Sequence, residues 1–141
     1  PGLRGLEKAA VRAGGGVNHR GSLSDGILVK DNHLGGLTIG DAVRRARMRW
    51  PGRMVEVECD SLEQLDEAIA ANADMVLLDN MTPEMVAIAV DTTNRRLPLE
   101  VSGGVTVETI ADYAETGVDF ISVGAITHSA PVLDIGLDLE R

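Results

Sequence analysis

His19-Arg20 delivers two cationic side chains from a glycine-rich loop, Gly14-Gly15-Gly16-Val17-Asn18, and Lys30 follows a short apolar run. Acidic residues then close three successive strand-like runs, at Glu58, Asp79 and Glu100. Arginine offers a planar fork that matches a carboxylate, and histidine and lysine add positive charge. The chain has a net charge of −9, so an anionic ligand needs a local positive field of this kind. A site with cations first and a ladder of carboxylates second can hold an anionic ring on one side and a ribose on the other. Two glycine turns add to it. Ser102-Gly103-Gly104 and Gly124-Ala125 each follow an apolar run, with His128 close to the second. Glycines let a backbone approach an anion, and the start of a following helix supplies free N–H groups, so the pair reads as a phosphate cup. No dinucleotide or nucleoside-triphosphate fingerprint occurs. The three histidines show no helical ligand spacing, so no protein-held metal is expected.

These groups need elements to position them. Apolar runs at 27–29, 54–57, 75–78, 97–101 and 120–123 read as strands covered on both faces. Helical patterns lie between them. Ser61-Leu62-Glu63-Gln64 is a capping-box pattern, with Leu62, Leu65, Ala68 and Ile69 on one face. Thr82-Pro83-Glu84 offers an N-cap, a proline at the first position and an acid in the first turn. Thr106 opens a helix with Val107, Ile110, Ala111 and Ala114 on its apolar side and Gly117 as its stop. Residues 38–49 and 3–13 complete the set. The strand starts recur every 20 to 23 residues or so, roughly the repeat of a compact β/α barrel. The fold expected is α/β, a partial TIM-like barrel of about five β/α units. In such barrels the chemistry sits at the carboxyl ends of the strands. Each of the five runs here ends in a group able to bind or react.

Composition excludes several classes. The acidic balance argues against nucleic-acid binding and anionic membranes, which require a basic surface. No apolar run is long enough to span a bilayer. Cys59 is the single cysteine, so no internal disulfide can form, and a reducing, cytoplasmic compartment is expected. Aromatics are confined to Trp50, Tyr113 and Phe120, so the core must be aliphatic. Asn80-Met81-Thr82 fits a glycosylation pattern but lies at a strand end of the expected site.

Seven segments, in order, carry a resemblance. Gly-Gly-Gly-Val-Asn-His-Arg at 14–20, Lys-Asp-Asn-His at 30–33 and Glu-Val-Glu at 56–58 come first. Leu-Leu-Asp-Asn at 77–80, Val-Ser-Gly-Gly at 101–104, Val-Gly-Ala at 123–125 and Leu-Asp-Ile-Gly-Leu-Asp at 133–138 follow. Together they resemble quinolinate phosphoribosyltransferase, the carboxylating nicotinate-nucleotide pyrophosphorylase, along essentially the whole chain. The resemblance implies transfer of phosphoribose from phosphoribosyl pyrophosphate to quinolinate with loss of CO2, giving nicotinate mononucleotide for NAD synthesis. By motif position His19, Arg20 and Lys30 would face the quinolinate carboxylates, and Glu58 and Asp79 would hold the ribose hydroxyls. Ser102, Gly103, Gly104, Gly124, Ala125 and His128 would line the 5′-phosphate site. Lys30, Glu58 and Asp79 would be the catalytic groups. Magnesium is implied, held mainly by the pyrophosphate, as is a homodimer or higher oligomer.

The same resemblance implies an amino-terminal domain and first barrel strands that these residues lack. Residues 1–130 would then form part of the catalytic barrel, and 131–141 a tail returning to the absent domain. On this expectation the 141 residues alone would be inactive. The alternatives are a paralogous pyrophosphorylase-like protein of molybdenum operons, a nicotinate phosphoribosyltransferase, and a non-catalytic phosphate-binding remnant. Intact His19, Arg20 and Lys30 favour a dicarboxylate acceptor.

Overall fold

Short runs of Val, Leu, Ile and Met make five strands, β1 (Ile27–Val29), β2 (Val55–Cys59), β3 (Met75–Asp79), β4 (Leu99–Ser102) and β5 (Phe120–Ile121). A computed structural model describes residues 2–137. The strands form one sheet, all parallel, in the sequential order β1-β2-β3-β4-β5. Sequential parallel order is that of a β/α barrel wall, because a doubly wound sheet reverses its order part-way. Helices α1 (Arg4–Ala13), α2 (Asp31–Leu34), α3 (Ile39–Arg49), α4 (Leu62–Ala70), α5 (Pro83–Thr93), α6 (Ile110–Glu115) and α7 (Ala125–His128) complete the chain. Of these, α3 packs on α4, α4 on α5 and α5 on α6, so the crossovers make one continuous layer.

Local chemistry sets the helix starts. Thr38 Oγ1 accepts from the Asp41 N–H at 3.1 Å, Ser61 Oγ from Gln64 at 3.3 Å and Thr82 Oγ1 from Met85 at 3.4 Å. Each bond satisfies a helix donor that has no partner within the helix. The expected capping box at Ser61 closes differently, since Gln64 Oε1 accepts from the Asp60 N–H at 2.9 Å.

Register shows how one sheet builds both a core and a cleft. Side chains alternate across a strand, and neighbouring parallel strands align Val57 with Val76 and Leu78 with Val101. Val55, Val57, Cys59, Val76, Leu78, Leu99 and Val101 therefore share one face. They join Ile39, Val43, Leu65, Ala68, Val86 and Ala89 of the helices in the main apolar core. The opposite face carries Glu56, Glu58, Leu77, Asp79, Glu100 and Ser102. The strands expected to be covered on both faces are so in β2, β3 and β4, but one face of β2 and β4 is not apolar. In Val55–Cys59 and Leu99–Ser102 apolar residues alternate with acidic or hydroxyl ones, and the polar face is the one turned away from the core helices α3, α4 and α5.

One helix start also shifts. The helix expected from Thr106 begins at Ile110, because Thr106 and Thr109 form a hydroxyl-bonded turn first, with the Thr106 N–H donating to Thr109 Oγ1 at 3.0 Å. Its expected apolar side is also wrong. Val107, Ile110, Ala111 and Ala114 are exposed, and Tyr113 is the buried residue. Tyr113 must bury a ring and satisfy a hydroxyl, and its O–H donates to the Met81 carbonyl at 3.0 Å, which fixes the helix rotation. Residues 131–137 are exposed, with Val132, Leu133, Ile135 and Leu137 unpacked. The last four residues of the expected tail lie outside the described ones.

Candidate active site

The polar face of the sheet opens into a cleft of about 860 Å3 at the carboxyl ends of the strands. Its wall includes Lys30, Glu58, Leu77, Asp79, Glu100 and Ser102 from β1 to β4 and their ends, with Ser122 and Gly124 beyond β5. The loop before β1 closes it with His19 and Arg20. Eight of the residues singled out from the sequence thus meet in one cleft: His19, Arg20, Lys30, Glu58, Asp79, Glu100, Ser102 and Gly124. Gly103, Gly104, Ala125 and His128 do not line it.

Lys30 occupies the N-cap position of α2, a turn of helix that follows β1 directly. The Lys30 N–H donates to His33 Nδ1 at 3.1 Å, and the Lys30 ammonium pairs with Glu58 Oε2 across β1 and β2. One cation and one carboxylate are thereby fixed against each other in the cleft wall. Asp79 ends β3, and its Oδ2 accepts from the Asn80 side-chain amide at 2.6 Å. Asn80 adopts φ +55°, and its N–H donates to the Ser102 carbonyl at 2.9 Å. Gly103, at φ +86°, lies so close to Asn80 that an added Cβ would overlap the Asn80 side chain. Only glycine meets both demands. Asp79, Asn80 and the Ser102–Gly104 turn therefore form one rigid unit.

The second glycine turn is shaped by a ring. A Cβ on Gly124 would lie 2.7 Å from His128 Nε2, and His128 Nδ1 sits 2.9 Å from Ser129 Oγ. His128 folds back over the backbone of α7 rather than reaching the cleft.

Two acids on the polar face of the sheet carry no role in the sequence reading, although Glu100 stands in its carboxylate ladder. Glu56 and Glu100 are each 3% exposed, in the middle of β2 and β4. His19 Nε2 lies 3.3 Å from Glu56 Oε2 and 3.6 Å from Glu100 Oε2. Ser122 Oγ donates to Glu100 Oε1 at 2.5 Å. Burial, followed by the Glu100 charge, pushes the Glu56 carboxyl above the usual range, and His19 opposes that shift. The signal was present in the sequence, because a carboxylate at the centre of a short buried strand costs stability unless it has a partner. Cys59 is buried on the helix side, and burial pushes its thiol up to about 12, so it is no nucleophile for the cleft.

A family model described as quinolinate phosphoribosyl transferase, C-terminal domain, matches residues 1–138. The chain belongs to the quinolinate phosphoribosyl transferase family. It is 51% identical to the nicotinate-nucleotide pyrophosphorylase (carboxylating) of Mycobacterium leprae, over 99% of this chain and 50% of that protein. The human protein of the same name is 39% identical over 99% of this chain and 48% of its own length. Among solved structures, the nicotinate-nucleotide pyrophosphorylase of Ehrlichia chaffeensis superposes with a TM-score of 0.92 at 45% identity, covering 99% of this chain and 52% of that one. The chain thus spans about half the length of the curated relatives it matches. Thiamine phosphate pyrophosphorylase from Pyrococcus furiosus, at 18% identity and a TM-score of 0.61, shares the fold alone. For a quinolinate phosphoribosyl transferase domain, a cleft that pairs cations with strand-end carboxylates is the region to test for chemistry. No described helix is long and apolar enough to cross a membrane.

Proposed function

We propose that this domain carries the acceptor and ribose sites of an enzyme that transfers phosphoribose from phosphoribosyl pyrophosphate to quinolinate. The products are nicotinate mononucleotide, pyrophosphate and CO2. The observation that carries this reading is the meeting of His19, Arg20 and Lys30 with Glu58, Asp79 and Ser102 in one cleft. The three cations suit the two carboxylates of quinolinate, and the carboxylates suit ribose hydroxyls.

Each residue then has a chemical task. Breaking the bond from C1 of the ribose to pyrophosphate builds positive charge on the sugar, like an oxocarbenium ion. Glu58 and Asp79, held in place by Lys30 and Asn80, would stabilise that charge without reorganising. The quinolinate nitrogen attacks C1 and becomes cationic once it bears the ribose. It can then accept the electron pair left when the adjacent carboxylate departs as CO2, and a proton replaces that carboxylate on the ring. Lys30 would neutralise charge developing there. Ser102, Gly103, Gly104 and Gly124, with Ala125 and His128 behind them, would support the 5′-phosphate.

Magnesium would accompany the pyrophosphate and offset its charge as it leaves. The donors present fit that role, since Asp79 offers hard oxygens at a strand end while Glu58 is already paired with Lys30. A homodimer working in the cytoplasm belongs to the same proposal. The test uses the protein as its gene encodes it, including any residues that flank these. Quinolinate, phosphoribosyl pyrophosphate and Mg2+ should yield nicotinate mononucleotide and CO2 in equal amounts. Use of nicotinate without CO2 release, or phosphate binding without turnover, would overturn the proposal.

A further inference from the structure

We infer that Glu56 and Glu100 are positioning residues, a two-carboxylate clamp that fixes the ring of His19 and with it the loop that presents His19 and Arg20 to the acceptor. This rests on the functional reading above for the identity of the acceptor. The geometry is independent of it.

Residues 14–26 contain no helix or strand, yet they carry two of the three cations of the cleft. Such a segment needs ties to hold a side chain in place. On one side α1 supplies them. Lys8 Nζ donates to the carbonyls of His19 at 3.3 Å and Arg20 at 3.0 Å, and Asn18 Nδ2 donates to the Lys8 carbonyl at 3.0 Å. These bonds hold backbone and leave the imidazole free to turn. On the other side the ring meets the sheet through Nε2 alone, at 3.3 Å from Glu56 and 3.6 Å from Glu100. A nitrogen facing two carboxylate oxygens must carry a hydrogen, so the clamp fixes Nε2 as a donor to the sheet and sets the ring plane, which aims Nδ1 away from the two acids.

The cost of the arrangement argues for a purpose. Two carboxylates are buried on the sheet face beneath a cleft that is to bind an anion, and each disfavours the other's charge. Glu56 Oε1 is buried with no hydrogen-bond partner. A sheet built only for stability would place aliphatic residues at these positions, which are flanked by Val55, Val57, Leu99 and Val101. Glu100 is itself held, through Ser122. The clamp is therefore a three-strand device. Its carboxylates come from β2 and β4, and its brace comes from just beyond β5, where Ser122 N–H donates to the Val101 carbonyl at 2.9 Å.

The test uses the full gene-encoded protein with Glu56→Met and Glu100→Met, which keep side-chain length but cannot accept a hydrogen bond, and with Glu56→Gln, which can. The Met variants should raise KM for quinolinate about tenfold or more, leave KM for phosphoribosyl pyrophosphate within about twofold, and melt at the same or a higher temperature. Glu56→Gln should recover most of the loss. Nitrogen NMR of His19 should report Nε2 fully protonated in the parent and only partly protonated in the Met variants. The spectrum decides the clamp even if the parent shows no turnover, so failure of the functional reading would remain distinguishable. Both KM values rising together with a fall in melting temperature would reduce the acids to a structural role and overturn the inference. An unchanged His19 spectrum would do the same, as would stoichiometric zinc bound through His19.

Discussion

The carboxylates of the cleft stand on strands, whereas His19 and Arg20 stand on a loop. Glu56, Glu58, Asp79 and Glu100 owe their positions to parallel register, which places every second residue of β2, β3 and β4 on the same face. Their backbones are held by the ladder and their opposite faces by the main core. His19 and Arg20 have no ladder and depend on single side-chain ties to α1 and to the sheet. Lys30 joins the two kinds of wall. It follows β1 directly, caps α2, and pairs with Glu58. The lesson is one of rigidity. On the proposed function, the half of the site that would meet a developing cation is built on the sheet, and the half that would admit and orient an acceptor is built on side-chain ties.

Cutting the bridge between the walls should have the largest effect. Lys30→Ala or Glu58→Ala in the gene-encoded protein should lower turnover about a hundredfold or more, on the order of 3 kcal/mol in the barrier, as for loss of one preorganised charge. Steady-state rates near those of the parent in either variant would break the assignment. On the sheet-built side, Gly103→Ala should cost about 2 kcal/mol of stability, because it forces φ +86° on a residue with a Cβ and displaces Asn80. Denaturant unfolding measures that cost. A companion rise in KM for phosphoribosyl pyrophosphate, with quinolinate unaffected, would sharpen the division of the cleft.

Smaller effects should fall on stability alone. Tyr113→Phe leaves the Met81 carbonyl without its partner and should cost about 1 kcal/mol. Thr82→Ala removes the cap of α5 and should cost somewhat less, about 0.5–1 kcal/mol. Both lie on the supports of the sheet-built wall, so neither should alter KM for quinolinate. A selective change in that constant would mean the two walls are coupled more tightly than their contacts suggest.

The sequence was most legible where local chemistry decides. Thr38, Ser61 and Thr82 cap the helices expected after them, and the strand cores of β2, β3 and β4 fall where aliphatic residues cluster. Lys30, Glu58 and Asp79 lie at strand ends, as a barrel reading requires. Legibility failed where a distant partner decides. The rotation of α6 is set by a bond from Tyr113 to a carbonyl far away in the chain, so counting apolar residues chose the wrong face. Glu56 was passed over because its importance lies in a loop residue that folds over it. The packing of the His128 ring on Gly124 is a further contact that no local pattern shows.

The most direct test of the divided cleft is a crystal structure of the gene-encoded protein with quinolinate and an unreactive, magnesium-bound analogue of phosphoribosyl pyrophosphate. The account predicts the quinolinate carboxylates within hydrogen-bond reach of His19, Arg20 and Lys30, and the ribose hydroxyls at Glu58 and Asp79. A ring seated away from those cations, or a ribose that touches neither carboxylate, would contradict it.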